Sequence, residues 1–162
     1  MMLRILITTL FAVLPALALA HGESHEKKSA TQATISAEEK EFGRQGDPNK
    51  ASRTINVAMA DTMRFDPAEL SIKRGETVRF AVQNMGQVLH EMVLGTMKEL
   101  KEHAELMKRF PTMEHDEPYM AHVNPGKHET MVWQFTKAGE YYYGCLVPGH
   151  FEAGMMGKII VK

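Results

Sequence analysis

The sequence predicts an all-β sandwich or barrel interrupted by one insertion of helix and loop. Three observations predict it: short runs in which apolar and polar residues alternate, turn-forming residues between those runs, and one stretch of helical spacing framed by start and stop signals. Alternation with a period of two places every second side chain on the same face of a sheet. Each run therefore offers one apolar face for burial.

The chain opens with a segment that does not belong to the fold. Arg4 is the only charge before residue 23, Ile5 to Leu14 is almost wholly apolar, and Ala18-Leu19-Ala20 has the small-x-small form that a signal peptidase cuts. An apolar stretch of about 10 residues is too short for a bilayer span, which needs about 20. Residues 1–20 read as a secretory signal peptide, so the mature product is expected in a bacterial periplasm, without a membrane span. Residues 21–50 hold eleven charged side chains against two large apolar ones, Ile35 and Phe42. Such a segment buries too little surface to offset its ordering entropy, which predicts a flexible, His-bearing charged tail.

Residues 51–162 carry the domain. Ile55, Val57 and Met59 alternate, as do Leu70 and Ile72, then Val78, Phe80 and Val82. Beyond the insertion come Met131, Trp133 and Phe135, then Tyr141, Tyr143 and Cys145, and finally Ile159 and Val161. Turns fall between them at Asp66-Pro67, Lys73-Arg74-Gly75, Asn84-Met85-Gly86, Asn124-Pro125-Gly126 and Lys137-Ala138-Gly139. This spacing suits antiparallel pairing. The insertion covers residues 96–128. Thr96 and Glu99 form a capping-box pattern there, Met97, Leu100, Ala104 and Met107 follow at helical spacing, and Pro111 ends the run.

Composition narrows the function. The chain has 162 residues, 44% apolar and 24% charged, with 19 basic against 20 acidic side chains and a formal charge of −1. Without a basic excess there is no electrostatic footprint for nucleic acid. The unusual counts are thirteen Met and eight His, both metal-ligating types, beside a single Cys. A lone thiol in an exported protein has no internal disulfide partner, so Cys145 is buried, reactive or metal-bound.

The segment Cys145-Leu146-Val147-Pro148-Gly149-His150-Phe151-Glu152-Ala153-Gly154-Met155 decides among these. A thiolate, an imidazole and a thioether follow one another with four residues between each pair, and Pro148-Gly149 turns the chain back. A strand ending at Cys145 and a loop that doubles back present all three side chains to one point. Thiolate and imidazoles in a plane with a weak axial thioether suit copper. The second imidazole comes from His90, in Val88-Leu89-His90-Glu91-Met92. A dinuclear copper centre would need a second Cys and an oxidase cluster His-x-His pairs, and neither is present. A Cys–His hydrolase lacks a third orienting residue.

Together with Met63-Arg64-Phe65-Asp66-Pro67, Leu70, Ile72, Gly75, Val78, Phe80 and Asn84, these residues resemble the cupredoxin family of type 1 copper proteins, in its plastocyanin, azurin and rusticyanin branches. The Cys-x4-His-x4-Met spacing is similar to that of rusticyanin, one residue longer between His and Met than in azurin. The resemblance implies a Greek-key β-sandwich holding one copper, with His90, Cys145 and His150 equatorial and Met155 axial. Met156 competes for the axial place. It also implies that Asn84 holds the His90 loop against the Cys145 loop, although a plain turn asparagine reads the same. Pro148 lacks an N–H, leaving the loop fewer donors to the sulfur. Phe151, Met85 and Met92 are candidates for an apolar rim.

Further copper donors are legible outside this motif. Within the insertion, Met107, Met113, His115, Met120 and His122 are candidates for a second copper site, with His103, Asp116 and Tyr119 among them. The plainer alternative is a helix whose methionines are core and whose histidines, His103 and His128 above all, are solvated. Cleavage after Ala20 would place His21 at the amino terminus, where α-amino group and imidazole chelate Cu(II), with His25 nearby. Its plain alternative is a solvated tail that starts with His. The chain also resembles the small CopI-type cupredoxins of bacterial copper tolerance, which implies copper handling in the periplasm. The rival role is a soluble electron carrier between redox partners such as a cytochrome. The chain is not expected to be an enzyme; cuprous oxidation at the same site stays open as a third role, although no substrate pocket is legible.

Overall fold

The computed structural model describes residues 35–162 apart from 112 and 114; the expected signal peptide, His21 and His25 lie outside the described residues. In chain order the strands are β1 (Glu39–Lys40), β2 (Gly43–Gln45), β3 (Arg53–Ala60), β4 (Arg64–Asp66), β5 (Glu69–Ile72), β6 (Thr77–Asn84) and β7 (His90–Gly95). Helix α1 (Met97–Arg109) follows, then β8 (Met120–Val123), β9 (His128–Gln134), β10 (Gly139–Gly144) and β11 (Met156–Val161). They form two sheets, ordered β1-β2-β9-β6-β3-β4 and β5-β11-β10-β7-β8. The alternating runs pack between them: Val57, Met59, Phe80, Val82, Trp133 and Phe135 from one sheet meet Leu94, Tyr143, Ile159 and Val161 from the other.

The pairing is not wholly antiparallel, as the even spacing had predicted. β3 runs parallel to β6, and β5 runs parallel to β11. Alternation reports which face a residue occupies but carries no information on strand direction. Between β3 and β6 the chain crosses to the opposite sheet to make β5, so two strands that end up as neighbours enter from the same end.

The second half of the expected tail is folded. Phe42, between β1 and β2, is 2% exposed, and its ring stacks on Trp133 with centroids 5.2 Å apart. The Trp133 indole N–H donates to the Phe42 carbonyl at 2.9 Å, and β2 pairs with β9. Gly43 makes this approach possible: its φ is 117°, and a Cβ there would strike the Gln134 carbonyl. One aromatic residue thus anchors a stretch whose average composition argues for mobility.

α1 begins as its capping box predicts. The Glu99 amide donates to Thr96 Oγ1 at 3.2 Å, and the Thr96 amide donates to the Glu99 carboxylate at 2.8 Å. Leu100, Ala104 and Met107 face the sheet, where they form a second apolar cluster with Val93, Met120 and Leu146. β7 is consequently buried on both faces, Met92 and Leu94 toward the sandwich and Val93 toward the helix. The insertion returns as β8, which pairs with β7 and opposes Val123 to His90. Among the described residues, no helix is long and apolar enough to cross a membrane.

Candidate metal centre

The ends of β3 and β10 and the starts of β7 and β11 gather at one end of the sandwich. Cys145 follows β10 and is fully buried, His90 opens β7 and is fully buried, and His150 lies half-buried on the turn between β10 and β11. One ligating atom from each of His90, Cys145 and His150 falls within 4.8 Å of the other two. The thiol sulfur is 3.2 Å from His150 Nδ1 and 3.9 Å from His90 Nδ1. Two donors each about 2.0–2.3 Å from a shared ion lie roughly 3–4 Å apart, so the spacing fits a metal between them. A buried thiol with two imidazoles is a donor set that suits copper.

Backbone hydrogen bonds fix the loop. The Cys145 amide donates to the Met155 carbonyl at 3.1 Å, the Met155 amide to the His150 carbonyl at 3.0 Å, and the His150 amide to the Val147 carbonyl at 3.0 Å. Gly149 and Gly154, with φ of 90° and 87°, take the left-handed conformations these reversals demand. Met155 is fully buried, whereas Met156 is half-exposed. The cause is the register of β11, which turns Gly157, Ile159 and Val161 inward and Met156, Lys158 and Ile160 outward.

Two carboxylates that the sequence reading missed organise the site. Asp61, in the turn after β3, places Oδ1 3.0 Å from His90 Nε2 while Oδ2 accepts from the Gln87 amide at 2.7 Å. Those contacts, the Gln87 amide first, hold its carboxyl below the ordinary range. A Cβ on Gly86 would collide with this carboxylate, which explains the glycine of the Asn84-Met85-Gly86 turn. Glu91 is 3% exposed: its Oε1 accepts from the Leu146 amide at 2.8 Å, and its own amide donates to the Cys145 sulfur at 3.4 Å. A charged residue inside the apolar run Val88–Leu94 was the available signal for Glu91. Asp61 gave none, since Asp in a turn is ordinary.

Burial pushes the Cys145 thiol up to about 12, with the Glu91 and Val147 amides acting in the opposite direction. Burial, then the neighbouring His90, holds His150 below the usual histidine value. The pocket without metal therefore favours a protonated thiol beside a neutral His150 imidazole.

Several expectations change. Asn84 does not tie the His90 loop to the Cys145 loop: its Nδ2 donates to the carbonyls of Val88 and Val123, both at 2.8 Å, so it ties that loop to β8. Of the expected apolar rim, Met85 is exposed, Met92 is fully buried in the core and Phe151 packs on the helix-side cluster. Val88 and Leu89 are the other exposed apolar residues beside His90.

Met107, Met113, Met120, His115 and His122 all line one open cleft of about 1350 Å³, bordered also by Val147 and Pro148. His122 faces oxygen with both nitrogens, Glu91 Oε2 at 2.9 Å and the His115 carbonyl at 3.0 Å. The Glu91 hydrogen bond raises its pKa. It is therefore not free to ligate. His103, expected to be solvated, is half-buried and meets His115; burial, then His115, holds its pKa below the usual value. His128 is exposed, as its plain reading predicts.

Comparison with known proteins agrees with this geometry. Residues 51–162 match the copper binding proteins of the plastocyanin/azurin family. The chain is 49% identical over 142 residues to a copper-resistant cuproprotein CopI of Rubrivivax gelatinosus, covering 88% of this chain and 83% of that one. A protein of the same name in Pseudomonas aeruginosa is 35% identical, over 75% of this chain and 82% of its own. Among solved structures, auracyanin B superimposes with a TM-score of 0.63 over 74% of this chain and 96% of the other, at 23% identity, which bears on the fold alone. By its match over the whole domain and its kinship with the CopI proteins, this chain belongs to the plastocyanin/azurin family of copper-binding proteins, the cupredoxins.

Proposed function

We propose that the chain holds one type 1 copper ion through Nδ1 of His90 and His150 and the thiolate of Cys145, with Met155 as axial ligand. In this reading it handles copper in the periplasm as part of copper tolerance. The observation that carries the reading is the convergence of three donor atoms within 4.8 Å inside a hydrogen-bonded frame. When bound, copper supplies a one-electron couple between Cu(I) and Cu(II).

The residues of the chain do the rest. Asp61 accepts from His90 Nε2–H, which fixes the ring and leaves the Nδ1 lone pair aimed at the sulfur. The Glu91 amide donates to that sulfur and stabilises its anionic form. Burial of Cys145, His90 and Met155 excludes water, and the loop hydrogen bonds keep the donors in place in either oxidation state. The copper-resistance role in the relatives' names supports tolerance over general electron transport. A second reading, a soluble electron carrier, is favoured by exposed Met85, Val88 and Leu89, an apolar surface beside His90 on which a redox partner would dock.

Loading the protein with Cu(II) and recording its visible spectrum tests the centre. An intense sulfur-to-metal absorption is expected, lost in Cys145→Ser and retained with a raised potential in Met155→Leu. A spectrum that shifts in Met156→Leu and not in Met155→Leu would overturn the axial assignment. Copper-inducible expression supports handling, whereas rapid electron exchange with a cytochrome supports the carrier.

A further inference from the structure

Among the described residues outside the Cys145 centre, two imidazoles are already in contact with each other. His103 on α1 and His115 on the loop before β8 bring their Nε2 atoms to 2.7 Å, with ring centroids 4.7 Å apart and planes tilted by 49°. Two imidazole nitrogens aimed at each other either share one proton or share one ion. A small opening of the pair to roughly 3–4 Å turns the first arrangement into the second. The loop that carries His115 is held from below, because His122 donates to the His115 carbonyl at 3.0 Å and is itself tied to Glu91 at 2.9 Å.

Two thioethers lie close to this pair along the chain. Met107 lies four residues beyond His103, hence on the same face of α1, and Met113 lies two residues before His115. Both line the cleft that His115 lines. Imidazole with thioether, and no thiolate, is a donor set for Cu(I) among biological metals. We propose that His103 and His115, with the thioethers of Met107 and Met113, form a second site that binds Cu(I). It opens on the cleft bordered by Val147 and Pro148 of the Cys145 loop, so an ion held there stands beside the first centre without sharing a ligand with it.

The test is an anaerobic titration of the full chain with Cu(I) against a chromophoric chelator. The double variant His103→Ala/His115→Ala is expected to lose one equivalent of bound Cu(I) relative to the unaltered chain while keeping the visible absorption of its Cu(II)-loaded Cys145 centre, which also reports that it folds. An unchanged Cu(I) count in the double variant overturns the proposal. In Cys145→Ser, where any sulfur ligand must come from Met, X-ray absorption of bound Cu(I) is expected to show nitrogen and sulfur neighbours that the two His→Ala changes remove. A shell of nitrogen and oxygen alone overturns the thioether assignment. Failure of the type 1 reading appears instead as a missing visible band in the unaltered chain, so the two outcomes are separable.

Discussion

The Cys145 end of the sandwich and the cleft beside α1 both concentrate side chains of types that can ligate copper, yet they are built differently. At the first, His90, Cys145 and Met155 are fully buried, and the loop is closed by a series of backbone hydrogen bonds. At the second, His103 and His115 are half-buried, Met113 is exposed, and His115 rides on a loop. The contrast teaches that donor chemistry alone does not set what a copper site is built to do. A frame that holds its donors still lowers the cost of changing oxidation state, whereas a looser one favours capture and release.

Glu91 joins the two regions, so its removal strains the contrast most. Glu91→Ala leaves the buried Leu146 amide and His122 without their acceptor and is expected to cost about 3 kcal/mol in urea unfolding of the metal-free protein, with Glu91→Gln recovering most of it. A cost below about 1 kcal/mol would mean that the regions stand independently.

Asp61→Ala sharpens the comparison from one side. Loss of the partner that orients His90 is expected to weaken Cu(II) binding about 10–100-fold in chelator competition, with Cu(I) uptake at the cleft unchanged. Equal losses at both places would break the distinction.

Proton linkage gives a third handle. Burial raises the Cys145 thiol from 9.0 to about 12, so the proton is present at neutral pH and must leave as copper enters. Copper affinity at that centre is expected to rise about tenfold per pH unit between about pH 7 and 9. His103, held below the usual histidine value, adds no proton release there, and no thiol is involved, so Cu(I) uptake at the cleft should depend on pH less steeply across the same window. The same thiol shift makes the metal-free fold more stable below pH 9.0, a contribution lost as pH rises through about 12.

The smallest effect comes from the helix start. Thr96→Ala removes the cap and is expected to cost about 1 kcal/mol in thermal or urea unfolding. It should loosen Cu(I) binding at the cleft and leave the visible spectrum of the Cys145 centre unchanged.

Much of this was legible in the residues because local rules carry it. Alternation located the longer strands, the Thr96/Glu99 pair located the start of α1, and the Cys145–His150 spacing with His90 pointed to three side chains that the fold brings together. What escaped depends on contacts distant in sequence. Asp61 meets His90 across 29 positions, and Phe42 meets Trp133 across 91, so neither pairing leaves a local trace. The direction of β6 and β11 escaped because a period of two is the same read from either end.

The rung that closes the ligand loop has its own implication. Gly144 and Met156 are register partners, so residues 145–155 leave the second sheet and re-enter it at a single step of the ladder. That makes the segment a cassette. A change of length between His150 and Met155 falls between two residues already fixed as partners by the ladder, so an evolutionary or engineered adjustment there acts on the candidate ligands before it acts on the strands.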